Sequence, residues 1–126
     1  RLTVVSGKID VIKSSLTMVS SDQRIQLLLI AFCFGAFLEG AAGFGVPIAI
    51  CSVMLAALGF NPLQAAMLCL VANAAAGAWG AIGIPVAIVD TFKLDGVTAI
   101  GVSKTANLTL PIVAATVPFL LVCGRL

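Results

Sequence analysis

Between Ile25 and Val89 the sequence carries a single charged residue, Glu39. No soluble fold of 126 residues has an interior large enough to hide so much apolar side chain from water. Soluble domains are about one quarter charged; here the share is 10%, with 61% hydrophobic residues and a mean hydropathy of +1.21. The solvent that suits such a chain is a lipid bilayer. Hydrocarbon obliges every backbone N–H and C=O to find a partner inside the protein, so runs of this length must be helical. The expected fold class is therefore all-α: a polytopic helical membrane protein, or a piece of one.

The few charges and the cysteines exclude several function classes. Seven Lys and Arg stand against five Asp and Glu, with no dense basic face of the kind that binds nucleic acid. Histidine is absent, which removes the commonest general base and metal ligand. One intramembrane acid without a basic partner gives an embedded enzyme little to work with, and no metal or cofactor is expected. Cys33, Cys51, Cys69 and Cys123 form no C-x-x-C pair and read as small buried hydrophobes. The chain starts at Arg1 without a signal-peptide pattern, which suits an internal piece of a longer membrane protein.

Residues 1–24 hold six of the twelve charged residues. Ile9, Ile12 and Leu16 recur at helical spacing between lysines, as in a helix lying on the membrane surface or a plain amphipathic connector. Ser20 with Gln23 three residues on is a capping-box pattern that opens a helix. Residues 25–38 and 46–60 are then two apolar arms, each about 21–23 Å long as a helix and short of the ~30 Å hydrocarbon core. Joined as one helix they would span about 54 Å, far too long for one crossing. The region 25–60 is thus expected as an interrupted hairpin or short helical pair. After the Asn61–Pro62 turn come an interrupted transmembrane helix at 65–89, a charged external connector at 90–105, and a last crossing at 106–124 that Pro111 and Pro118 kink. Arg1, Lys8, Lys13, Arg24 and Arg125 then share one side against Lys93 and Lys104 on the other, which places residues 1–24 in the cytoplasm.

The two interruptions share a grammar. "GAAGFGVP" (40–47) and "GAWGAIGIP" (77–85) both begin G-A-x-G and end G-x-P. Paired interruptions of apolar segments are the best sequence pointer to a secondary transporter's binding site. A helix broken inside the membrane leaves N–H groups unpaired on one half and carbonyls on the other, tolerable only when protein, water or a solute satisfies them. Pro47 sits where a helix start forgives its missing N–H, so the amides of Gly43, Phe44 and Gly45 are candidates to face a cavity. Asn73 is the other polar candidate within a crossing, able to meet a solute or to bond a neighbouring helix. The bland alternative is that all these glycines only let helices pack closely.

The run "FCFGAFLEGAAGFGVPIAI" (32–50) resembles the signature of the lactate permease family, bacterial transporters for L-lactate and related 2-hydroxy monocarboxylates. The likeness extends through "DQRIQLLL" (22–29), "GFNPLQAAMLCLVAN" (59–73) and "GAIGIP" (80–85), about two-thirds of the chain. It implies a multi-pass plasma-membrane carrier, of which this chain is one fragment within a single transporter domain, importing its substrate with a proton by symport. On that reading the substrate-binding residues are Gly40, Gly43, Phe44, Gly45, Asn73 and Gly80, and Glu39 carries the coupling proton. The implied partners are a small monocarboxylate, the proton, the bilayer and the remaining helices of the permease. A channel with "GFG" (43–45) as its constriction is the alternative.

Overall fold

The computed structural model describes residues 11, 14–15, 18–43 and 45–124, and every regular element among them is helical. Ile9, Ile12 and Leu16, which carry the surface-helix expectation, lie outside the described residues.

Helix α1 runs from Gln23 to Ala41. It opens on Asp22, whose Oδ1 accepts the Arg24 N–H at 2.8 Å. Ser20 does not form the capping box its spacing suggests: its Oγ accepts the Asp22 N–H, and its carbonyl accepts Gln26 Nε2. Asp is as good a cap as Ser and lies closer to the apolar run, so it takes the position. Leu28–Phe34 form a π-helical stretch inside α1, one residue more per turn than the flanking helix. The arm expected to end at Leu38 is longer than its glycines suggest. Gly35 and Gly40 stay helical, and the 19 residues of α1 reach about 28 Å, nearly a full crossing.

Helix α2, Val46–Ala57, folds back along α1, so that a Cβ built on Gly35 would lie 3.8 Å from Cys51 Sγ. The region 25–60 thus holds two helices packed against each other. At its end Gly59 turns left-handed at φ +93°, and the Phe60 N–H donates to the Leu55 carbonyl at 3.1 Å, the 6→1 bond of a Schellman motif. Asn61 then caps α3, Pro62–Asn73: its Oδ1 accepts the N–H groups of Leu63 at 3.0 Å and Gln64 at 3.3 Å, while Pro62 fills the first helical position. Loss of this cap is expected to destabilise the α2–α3 hairpin by about 1 kcal/mol in Asn61→Ala and by only a few tenths in Asn61→Asp. Thermal unfolding in detergent, comparing the two variants, checks it.

Beyond Asn73 a turn leads to a 3-10 segment at Gly77–Trp79, then to α4, Gly80–Ala87, which passes through a kink before a second 3-10 turn at Ile88–Phe92. The axes of Pro62–Asn73 and Gly77–Phe92 differ by 69°, so the expected interruption of the 65–89 crossing is a bend. Helix α5, Ala99–Cys123, continues through both Pro111 and Pro118. It begins within the stretch whose charge suggested a connector, because Thr98 Oγ1 accepts the Gly101 N–H at 3.1 Å and Asp90 Oδ1 accepts the Ala99 N–H at 2.6 Å. Two caps on one helix start let it form seven residues before Ala106. By length and composition α1 and α5 can each cross a membrane, and the bent α3–α4 pair makes a third span if it counts as one.

The helices meet along a strip of Leu27, Ile30, Cys51, Leu55, Cys69 and Leu121, with Ala31, Ala65, Ala72 and Ala75 between the larger side chains. Small residues suit this medium. Lipid tails are as apolar as leucine, so close packing rather than water exclusion holds such helices together. Cys51 and Cys69 are buried as expected, whereas Cys33 and Cys123 are exposed, since they sit on faces of α1 and α5 turned away from this strip.

Candidate functional site

The first break follows from two left-handed glycines. Gly43 stands at φ +62° and Gly45 at φ +86°, a region closed to most side chains. The N–H groups of Ala42 and Gly43 both turn back onto the Leu38 carbonyl, at 2.8 and 3.4 Å, which ends α1. Of the three amides expected to face a cavity, that of Gly43 thus donates to the Leu38 carbonyl. Helix closure explains it, because the last carbonyls of α1 need donors of their own. Phe44 lies outside the described residues. Gly45 forms the cap of α2 and has nothing within 4 Å of a would-be Cβ.

The second break repeats this backbone. Gly83, like Gly45, precedes a proline by two residues and is left-handed, at φ +78°. Ala81 (φ +46°) and Ile82 (φ +62°) share that conformation, which costs a non-glycine residue about 1–2 kcal/mol. Three successive left-handed residues kink the chain between Gly80 and Ile84. No residue type at 81 or 82 announces this, so the sequence reading missed them. The grammar G-x-P at the end of each cluster was the only legible trace.

The two breaks cross each other. A Cβ on Gly43 would lie 2.8 Å from the Ala81 nitrogen and 3.0 Å from its Cβ. A Cβ on Gly80 would lie 2.5 Å from Glu39 Oε1 and 3.3 Å from its Cδ. Gly43 and Gly80 are the second glycines of their clusters, and each accommodates a part of the opposite one. Glu39 itself lies in the last turn of α1, 4% exposed, and its Oε2 is buried without a hydrogen-bond partner among the described residues. The carbonyl end of a helix dipole lies there, unfavourable to an anion.

Asn73 closes α3, whose packing reaches the last turns of α1. Its Oδ1 is likewise buried and unpaired among the described residues. Two sealed oxygen acceptors without donors are chemically specific. They call for a proton, a hydroxyl or another donor to complete them, since an unmet buried acceptor costs about 1–3 kcal/mol. Of the predicted residues, Glu39, Gly43 and Gly80 thus come together at the crossing. A Cβ built on Gly40 or Gly45 would meet nothing within 4 Å. Two open clefts of about 600 and 570 Å³ lie against α5, one lined by Ala78, Thr105 and Thr109, the other by Trp79, Ile82, Gly83, Ser103 and Lys104. The α5 residues were not among the expected site, because their charge and polarity read as a connector.

Comparison with known proteins gives these features a context. The family profile described as L-lactate permease matches residues 1–124. An L-lactate permease of Halalkalibacterium halodurans is 64% identical over 123 residues, covering 97% of this chain and 24% of that protein. An L-lactate permease of Bacillus subtilis and the glycolate permease of Escherichia coli are each 48% identical over 122 residues, again 97% of this chain and 21% of theirs. The chain therefore spans between a fifth and a quarter of the length of these relatives. No solved structure matches it.

Proposed function

Because this chain belongs to the L-lactate permease family, a family of transporters rather than enzymes, we propose that it is part of a secondary active carrier. The carrier moves L-lactate or a related 2-hydroxy monocarboxylate across the plasma membrane together with a proton. The observation that carries the mechanism is a buried carboxylate with an unpaired oxygen, Glu39, set where two broken helices cross. Ionised, Glu39 repels an incoming carboxylate anion. Protonated, it is neutral and its new O–H can meet an acceptor. Binding of the anion then follows proton uptake, and release of one favours release of the other.

The remaining roles follow from hydrogen-bond capacity. The substrate's carboxylate needs donors, which the start of α2 at Gly45 supplies. Its 2-hydroxyl is a donor, which the unpaired Asn73 Oδ1 accepts. Gly43 and Gly80 leave space where side chains would obstruct the crossing. The names of the relatives, L-lactate and glycolate permeases, fit a small 2-hydroxy acid.

Counterflow tests the carrier reading against a pore. Proteoliposomes containing the full-length permease and loaded with unlabelled L-lactate are expected to take up labelled L-lactate with a transient overshoot, saturably and in competition with glycolate. Conductance without saturation or overshoot would overturn it and favour a channel.

A further inference from the structure

A carboxylate approaching Glu39 and Asn73 meets no positive charge among the described residues, and the attractive charge must come from elsewhere. Among the described residues the basic side chains are Arg24, Lys93 and Lys104. Of these, Lys104 alone lines either of the clefts against α5, and its cleft opens directly onto the second break at Ile82 and Gly83. No carboxylate among the described residues forms an ion pair with it.

A second observation concerns the residue beside it. Hydroxyls on membrane helices commonly donate to a carbonyl three or four residues back. Thr105, Thr109 and Thr116 of α5 all do so, at 3.1, 3.0 and 2.9 Å. Ser103 makes no hydrogen bond to a described residue, and it lines the same cleft as Lys104. A hydroxyl and an ammonium without partners among the described residues thus line one cleft, together with Trp79 and Gly83.

We propose that this cleft of about 570 Å³ is an outer station for a small monocarboxylate, held by the Lys104 ammonium and the Ser103 hydroxyl before it passes to the second break. The inference rests on the carrier reading and adds an anion site to it. The ammonium is a compact charge on a flexible stem, suited to a transient contact, and the hydroxyl adds one directed donor. Such a station raises the local concentration of anions and acts on capture more than on the later steps.

The test uses the full-length permease in vesicles, with initial rates of L-lactate uptake measured from the side that Lys104 faces. Lys104→Gln is expected to raise KM at least fivefold with a maximal rate within about twofold of wild type, and Lys104→Arg to stay near wild type. Raising the ionic strength should shrink the difference between wild type and Lys104→Gln, since screening weakens an exposed charge. Ser103→Ala, a smaller change that leaves the charge in place, should raise KM two- to threefold. An unchanged KM in both Lys104→Gln and Ser103→Ala, the result expected if the lysine only meets lipid headgroups, would overturn the proposal. So would a lowered maximal rate at constant KM. Failure of the underlying carrier reading shows separately, as absence of saturable uptake in wild type.

Discussion

Gly43→Ala is expected to lower the initial rate of L-lactate uptake more than tenfold and to reduce thermal stability, whereas Gly45→Ala should stay within about threefold of wild type. Both glycines are left-handed, at φ +62° and +86°, so both alanines incur about 1–2 kcal/mol of backbone strain. The difference is what the added methyl meets. At Gly45 it meets nothing within 4 Å. At Gly43 it lies 2.8 Å from the Ala81 nitrogen and 3.0 Å from the Ala81 Cβ, a backbone and a first side-chain atom that cannot swing aside. Overpacking of that kind costs a further ~1–3 kcal/mol. Because Ala81 leads the left-handed turn of the second break, relief by movement displaces that break and the Gly80 backbone on which Glu39 rests. Parallel uptake and unfolding measurements on the two variants check the contrast. Equal effects would mean that conformational strain, and not the crossing of the breaks, sets the requirement for glycine.

That contrast also shows where the sequence was readable. The membrane class and the helical fold followed from a charge-free apolar run, because a bilayer permits few alternatives. The two breaks were visible as paired Gly–Pro clusters, and their shared ending, a left-handed glycine two residues before a proline, is a shared backbone at Gly45 and Gly83. Their crossing was not visible. Nothing in a linear sequence says that Gly43 leaves room for Ala81, or Gly80 for Glu39, because these pairs lie some forty residues apart. Glycine at position 43 reads in the sequence as close approach to a substrate, and the structure brings it close to another stretch of backbone as well.

Local signals misled where two solutions compete. Ser20 and Gln23 have the spacing of a capping box, yet Asp22 caps α1. The Gly-rich break after Leu38 looked able to end the first arm there, yet membrane helices tolerate glycine while the hydrogen-bond ladder is intact, and α1 continues to Ala41. Residues 90–105 read as connector, since composition does not distinguish a hydrophilic loop from a helix face that lines a cleft. Two caps, Thr98 and Asp90, decide for the helix.

Glu39 carries the central claim, that the crossing of the breaks couples a proton to an anion. Glu39→Gln retains the side chain's volume and its place against Gly80 and cannot change charge. The decisive measurement compares two modes of transport in the same proteoliposomes: uphill L-lactate accumulation driven by a pH gradient, and lactate–lactate exchange without one. Exchange needs only binding and reorientation, whereas accumulation needs the proton to be bound and released with the substrate. The account predicts that Glu39→Gln loses accumulation, bringing the internal-to-external ratio to about one, while exchange stays within a few-fold of wild type. Accumulation in Glu39→Gln equal to that of wild type would contradict it.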